Sequence, residues 1–310
     1  MEYPTLITAD TTWFIPEGAL LPEVVVAHEF GHQYWYGMVA TNEFEEAWLD
    51  EGINSYMEVK VMDALYGKET SFLNFPFAQM GESQEQRTGY LGTPDYDPLV
   101  RFAWQFAGSG SYGSVSYGKT ATVLLTLEKM IGEDKMREAM HQYFLRYRFT
   151  HPTGEDFLKT IEDVSGQNVR WYFDQAVYGT NVLDYEIHNV HSDLLKWYEI
   201  TPTAPKLFRT YVTVHRKGDF VFPIEVKITF DDDSSVVEHW DGRDRWVRYT
   251  YDRMARVKSA EIDPERRVWL DRNFFNNSRT IDGDDRATHK LLNMWIFATE
   301  WISQLIAWIT

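Results

Sequence analysis

Two histidines near the start of the chain are separated by three residues, and a glutamate follows the first of them. The segment reads His28-Glu29-Phe30-Gly31-His32. If it is helical, positions i and i+4 share one face, so the two imidazoles lie side by side about one turn apart. A tetrahedral zinc ion takes two ligands in this arrangement, with the glutamate as general base. These five residues alone also allow a surface helix with two solvated histidines.

A third ligand candidate follows at Glu51. A catalytic zinc ion needs a third protein ligand and one open position. The segment "EAWLDEGINSYMEV" supplies Glu51, with eighteen residues between it and His32. That interval lets one helix end, a loop turn and a second helix return antiparallel. We therefore predict that His28, His32 and Glu51 hold one Zn²⁺ ion per chain. The alternative for Glu51 is a surface acid in the first turn of a helix.

A second carboxylate, Glu58, follows Glu51 by seven residues, or two helical turns. The two therefore lie on the same face of the second helix. Zinc-bound histidines commonly donate their other ring N–H to a carboxylate. We predict that Glu58 is this partner, and an ordinary salt-bridging acid is the alternative.

The segments "HEFGH" and "WLDEG" at this spacing resemble the aminopeptidase N family of zinc metallopeptidases, or gluzincins, which have a thermolysin-like catalytic domain. The resemblance implies a zinc-dependent aminopeptidase that acts on peptides with a free N-terminus. It also implies that Glu29 is the catalytic base and that Tyr117, in "SVSYGKTATVLLTLE", donates a hydrogen bond to the developing oxyanion. The opening "MEYPTL" is similar to the end of the family's Gly-x-Met-Glu-Asn motif, which implies that Glu2 binds the substrate's α-amine.

Hydrophobic patterning predicts an α+β fold in three parts. Residues 1–181 are mostly helical and correspond to the catalytic domain. Residues 182–280 alternate apolar and polar side chains, which predicts a small antiparallel β-sandwich. Residues 281–310 form a C-terminal helical segment. The family's large N-terminal β domain has no counterpart here, so the resemblance implies a fragment truncated at its N-terminus.

Within the first part, the pattern predicts one helix over residues 22–36 and a second over 48–65. Residues 68–114 are rich in turn formers and are predicted to be mostly loop. Helical periodicity returns from about residue 117.

Composition excludes several classes of function. The formal net charge of −17 argues against a nucleic-acid partner, which needs a basic surface. The chain has no cysteine, so thiolate catalysis and cysteine-ligated zinc are excluded. No signal peptide opens the chain, but an N-terminally truncated chain leaves its compartment open, and the oligomeric state is open as well.

The last segment, "LLNMWIFATEWISQLIAWIT", is nearly long enough to span a bilayer, but Glu300 lies in its middle. Its apolar residues form one broad helical face, which favours docking on protein over contact with a membrane. Two other functions also stay open. One is a zinc-bound scaffold that binds peptide with little turnover, and the other is a related zinc hydrolase with a non-peptide substrate such as an epoxide.

Overall fold

The computed structural model describes residues 2–9, 14–196, 206–283 and 285–309. Helices dominate the first part of the chain and antiparallel strands the second, and a final helix follows. The predicted α+β fold class is confirmed. The boundaries of the three predicted domains stay a prediction, although the last helix of the first part ends at Ala176 and the first long strand begins at Tyr185.

The helical part also contains two short β-hairpins and two π-helical turns. The first π turn (Trp48–Gly52) leads into α3, and the second π turn (Ser114–Lys119) leads into α6. The hairpins are β1 (Glu2–Tyr3) with β2 (Leu6–Ile7) and β3 (Leu73–Phe75) with β4 (Ala78–Met80). The helices are α1 (Leu21–Gly31), α2 (Glu43–Ala47), α3 (Ile53–Tyr66), α4 (Glu82–Gly92), α5 (Ser109–Gly113), α6 (Thr120–Ile131), α7 (Glu133–Tyr147), α8 (Gly154–Ser165) and α9 (Arg170–Ala176).

Helix α6 is the centre of the helical part. Its side chains from Thr120 to Glu128 are all buried, as expected for a helix that is covered on every face. It packs against α3, α4 and α7 as well as the first π turn. Because α3 and the two π turns carry the predicted site residues, this packing fixes the position of the site.

The strands form two antiparallel sheets that pack as a sandwich. One sheet has the strand order β5-β6-β9 and the other β11-β10-β7-β8. Alternate residues of β7 are buried, which gives the sandwich its core. The strands are β5 (Tyr185–Leu194), β6 (Phe208–Arg216), β7 (Ile224–Phe230), β8 (Ser235–Trp240), β9 (Trp246–Arg253), β10 (Val257–Ile262) and β11 (Ser278–Thr280).

Helix α4 joins the helical part to the sandwich. The Arg87 guanidinium donates to the carbonyl oxygens of Trp269 (Nε, 3.1 Å) and Asp271 (Nη2, 2.5 Å). The Tyr90 hydroxyl donates to the Leu270 carbonyl at 3.1 Å. On its other side, α4 packs against the second π turn, where a Cβ on Gly118 would lie 2.6 Å from the Gln86 carbonyl oxygen. One helix therefore contacts both halves of the chain.

Two predictions about the helices are wrong in part. The helix predicted over 22–36 ends at Gly31, and residues 32–38 form turns. Phe149 N–H donates to the Met38 carbonyl and a bridge pairs Val39 with Thr150, so the chain is turned away to meet the end of α7. The predicted loop region 68–114 contains the β3–β4 hairpin and α4.

The C-terminal helix α10 (Arg286–Ile309) forms as predicted, but every side chain described in it is exposed. The docking on protein predicted from its apolar face is therefore not found within the described part of this chain, because no described residue covers that face. In the same part of the chain, no helix combines the length and apolar character needed to cross a membrane.

Candidate active site

The three predicted ligands meet at one point between α1 and the first π turn. The Nε2 atoms of His28 and His32 lie 3.1 Å apart. Glu51 Oε2 is 3.1 Å from His28 Nε2 and 3.2 Å from His32 Nε2. A histidine on α1, the histidine that directly follows its end and a carboxylate from the returning segment thus form a nearly equilateral triangle of donor atoms.

The triangle matches the ligand set of a tetrahedral zinc ion. With bonds of about 2.0–2.1 Å, tetrahedral zinc holds its ligand atoms about 3.3 Å apart. The observed separations are 3.1 to 3.2 Å, and the donor set of two imidazoles and one carboxylate is one that catalytic zinc uses. The residues present therefore fit the metal that the sequence predicts.

The outer nitrogen of each histidine contacts its own buried carboxylate. Glu58 Oε2 lies 2.9 Å from His28 Nδ1, as the sequence predicts. Asp50 Oδ1 lies 2.9 Å from His32 Nδ1, a contact that sequence reasoning missed. Helical periodicity gives no reason for consecutive residues to face the same neighbour, but the π turn directs both Asp50 and Glu51 toward α1. The adjacent acids in "WLDEG" were the available signal.

The carboxylates make this a place where positive charge is stabilised. Desolvation by burial lowers the pKa of His28, but hydrogen bonds with Glu51 and Glu58 outweigh it and raise the pKa to about 9. Burial also lowers the pKa of His32, but interactions with Asp50 and Glu51 outweigh it and raise the pKa to about 10. Burial raises the pKa of Glu51, yet hydrogen bonds from the two histidines bring it down to about 2. A cation is favoured at this point for the same electrostatic reason.

Tyr117 and Glu29 flank the ligand triangle. The Tyr117 ring stacks on the His28 ring with centroids 5.6 Å apart, and its side chain helps to lower the pKa of Glu51. Burial and the negative charge of Glu51 raise the Tyr117 pKa well above its usual value, so its hydroxyl keeps its proton. Glu29, His28 and Tyr117 line a cleft of about 310 Å³, which is continued by Glu85 and Phe72. A carboxylate and a phenolic hydroxyl therefore face one space.

Close backbone approaches hold these elements together. Asn54 Nδ2 on α3 donates to the His28 carbonyl at 2.6 Å and ties α3 to α1. Gly52, next to Glu51, lies against the start of α6, where an added Cβ would be 2.2 Å from Thr120 Cγ2 and 2.6 Å from the Ser116 carbonyl oxygen. Only a residue without a side chain lets the two π turns meet here.

The predicted amine anchor cannot be placed in the same way. Glu2 belongs to strand β1, which pairs with β2, but its side chain lies outside the described part of the structure. The hairpin does lie beside the end of α1. The Gln33 side chain donates from Nε2 to the Tyr3 carbonyl, and its Oε1 accepts from the Thr5 N–H.

Comparison with known proteins identifies sequence relatives and a similar fold. A sequence model of the peptidase family M1 domain matches residues 3–175. The chain is 26% identical over 147 residues to tricorn protease-interacting factor F2 of Thermoplasma acidophilum, covering 47% of this chain and 18% of that protein. It is 25% identical over 145 residues to leucyl aminopeptidase of Saccharolobus solfataricus, with the same coverage, and 27% identical over 143 residues to human endoplasmic reticulum aminopeptidase 2, covering 45% and 14%. The chain thus spans less than a fifth of each of these relatives.

A solved structure shares the fold. Legionella pneumophila aminopeptidase A, in complex with aspartic acid, superposes with a TM-score of 0.54 at 14% identity. The match covers 81% of this chain and 26% of the other, so it extends beyond the residues that the family model matches.

Proposed function

The chain belongs to peptidase family M1, and from this premise we propose that it is a zinc-dependent aminopeptidase whose metal is held by His28, His32 and Glu51. The observation that carries the proposal is the convergence of three donor atoms 3.1 to 3.2 Å from one another. Zinc bound there would supply polarisation of a carbonyl group and a lowered pKa for water.

The buried carboxylates orient the ligands. Glu58 Oε2 accepts the Nδ1–H of His28, and Asp50 Oδ1 lies 2.9 Å from His32 Nδ1, so that each ring directs its Nε2 to the metal position. Zinc requires neutral imidazoles, so the bound ion replaces the protons that the raised pKa values of His28 and His32 favour in its absence.

The proton transfers belong to Glu29. Its carboxylate lines the cleft beside His28 and takes the proton of the attacking water as the water oxygen adds to the scissile carbonyl. The Glu29 carboxyl group then gives the proton to the leaving amine nitrogen as the scissile C–N bond breaks. Tyr117 keeps its hydroxyl proton and donates it in a hydrogen bond to the tetrahedral oxyanion.

Recognition of a free N-terminus is what makes the enzyme an aminopeptidase. We assign the α-amine to Glu2, since β1 lies beside the helix that carries the histidines. The carboxylates along the cleft, Glu29 and Glu85, add a negative potential that suits a cationic amine.

The decisive experiment measures zinc content and turnover in the same samples. Glu51→Gln should lose zinc by elemental analysis. Glu29→Gln should keep zinc and lose about 10²–10⁴-fold in turnover of an aminoacyl amide. Glu138→Gln, an exposed acid on α7, is the matched control and should change neither quantity. If the unsubstituted protein binds a full equivalent of zinc but hydrolyses no substrate, it is a binding scaffold. If it hydrolyses an epoxide but no amide, it is another zinc hydrolase. Either result refutes the proposal.

A second experiment tests the amine anchor. Glu2→Ala should weaken binding of substrates with a free N-terminus and leave N-acetylated analogues unchanged. Equal effects on both kinds of substrate would remove Glu2 from the amine site without affecting the zinc assignment.

A further inference from the structure

A second group of metal-binding side chains lies on the β-sandwich, on the outer face of the β5-β6-β9 sheet. It consists of Glu186 and His188 on β5 and His215 on β6, whose ligand atoms all lie within 4.8 Å of one another. The neighbours Ile187 and Val214 are buried, so the group faces away from the sandwich core. The His188 and His215 side chains belong to neither the catalytic cleft nor the packing of the two sheets.

A β-bulge brings His188 to His215. Glu186 pairs with His215. Ile187 pairs with Val214 and Asn189 with Thr213, so His188 is the extra residue between Ile187 and Asn189. Bulges commonly re-aim a side chain, and here the His188 ring is stacked on His215 with centroids 4.0 Å apart and planes 11° apart. Arg279 on β11 holds the bulge, because its Nη1 donates to the His188 carbonyl at 2.7 Å.

The donor set suits a borderline transition metal. Two imidazoles and one carboxylate are ligands for Zn²⁺ and Cu²⁺, whereas calcium and magnesium prefer oxygen alone. Metal bonds of about 2.0–2.2 Å require the ligand atoms to close from their present spacing to about 3.3 Å. The side chain of His188 is 53% exposed and can rotate, while Glu186, at 28%, is held closer to the sheet.

The stacked rings explain which residue must move. The lone pair of an imidazole nitrogen lies in the plane of its ring. Two nearly parallel ring planes do not meet at one metal position, so one ring has to turn for both to bind the same ion. His215 is half-buried, whereas His188 is exposed, so His188 is the ring with room to turn. His215 is thus the fixed ligand and His188 the mobile one.

We propose that Glu186, His188 and His215 form a second metal site, which binds a divalent transition metal of the Zn²⁺ or Cu²⁺ type. The bound metal would cross-link β5 and β6. The site is independent of the proposed catalytic zinc, since it lies on a different part of the chain and shares no ligand with it. Water would complete the coordination shell on the exposed side.

The test counts metal equivalents on the whole chain. Calorimetric titration of the metal-free protein with Zn²⁺ should show two sites, with the weaker one lost or weakened at least about tenfold in His188→Ala and in His215→Ala. His191→Ala is the matched control, because His191 is on the same strand and face but stacks on Tyr211 outside the group. It should keep the second site.

A spectroscopic readout separates ligation from loss of structure. Cu²⁺ added to protein that holds one zinc equivalent should occupy the weaker site and give an electron paramagnetic resonance spectrum with two coupled nitrogens, and only one in His188→Ala. Thermal unfolding of the metal-free variants should match the wild type, since the residues contribute little to the core. A single zinc equivalent in the wild type, or a second equivalent that survives in both histidine variants, would overturn the proposal and leave a stacked histidine pair.

Discussion

Gly52 is the position where one methyl group should disable the proposed zinc site without touching a ligand. It follows Glu51 directly and faces the second π turn and the start of α6. A Cβ built at Gly52 lies 2.2 Å from Thr120 Cγ2, 2.3 Å from Thr120 Cβ and 2.6 Å from the Ser116 carbonyl oxygen. Ordinary contacts of a Cβ begin near 3.4 Å, so the two segments must separate by about 1 Å. Neither the Cβ nor the backbone oxygen can swing aside as the end of a flexible side chain would.

The size of the effect follows from that displacement. Overpacking of a well-packed core costs typically about 1–3 kcal/mol in the free energy of unfolding. A misplacement of about 1 Å in a catalytic group can cost about 10²-fold in rate. Because Glu51 and Tyr117 lie on the two segments that are forced apart, we expect Gly52→Ala to lower turnover by about that factor and to weaken zinc binding.

The assay compares Gly52→Ala with Gly92→Ala, a matched change at the end of α4 where an added Cβ meets nothing within 4 Å. Zinc affinity by chelator competition, turnover of an aminoacyl amide and thermal unfolding are measured on both. Gly92→Ala should leave zinc and turnover unchanged. If Gly52→Ala binds zinc and melts like the wild type, the close approach of the two π turns does not position the site, and the reasoning fails.

Three further changes test separate parts of the structure. Tyr117→Phe should keep zinc and lower turnover by about 10²–10³-fold, because one donor to the oxyanion is lost; unchanged turnover in steady-state kinetics would contradict its role. Glu58→Gln should weaken zinc binding by about 10–100-fold in chelator competition, because His28 loses its carboxylate partner; unaltered affinity would make Glu58 an ordinary buried acid. Burial raises the pKa of Asp271 from its ordinary 3.8 to about 6, so the folded protein keeps a proton there that the unfolded chain releases. That contribution to stability is present below about pH 4 and is lost as pH rises through about 6, by about 3 kcal/mol relative to Asp271→Asn. Denaturant unfolding of both proteins across this pH range measures it, and parallel curves would rule it out.

The sequence predicts the histidine pair because its geometry depends on short-range rules, whereas it points to Glu51 through the spacing between the two segments. Histidines at i and i+4 share a face in any helix, so the proximity of His28 and His32 needed only the helix to form. The position of Glu58 followed from its two-turn spacing to Glu51 in the same way. The fold class followed from the change from helical to alternating hydrophobic patterns near residue 182.

The remaining features depend on contacts that periodicity does not encode. Asp50 contacts His32 because the chain is π-helical there, and a π turn is rare enough that no pattern in five residues predicts it. Helix α4 escaped prediction because the residues it buries are mostly polar. Glu82 and Gln86 are buried one turn apart and Gln86 donates to Glu58, so burial is driven by hydrogen bonds around the site rather than by an apolar face.

Helix α4 also decides which pieces of this chain can be exchanged with relatives. Gln86 reaches Glu58 beside the histidines, and the very next residue, Arg87, holds the carbonyls at Trp269 and Asp271. A chimera that imports only the strands of a relative keeps these contacts only if the imported backbone places two carbonyl oxygens at the same positions, and a change there acts on the residue next to Gln86. The seam for recombination therefore lies before α4 and not at the change from helices to strands. A graft that carries α4 together with its own sandwich avoids the problem.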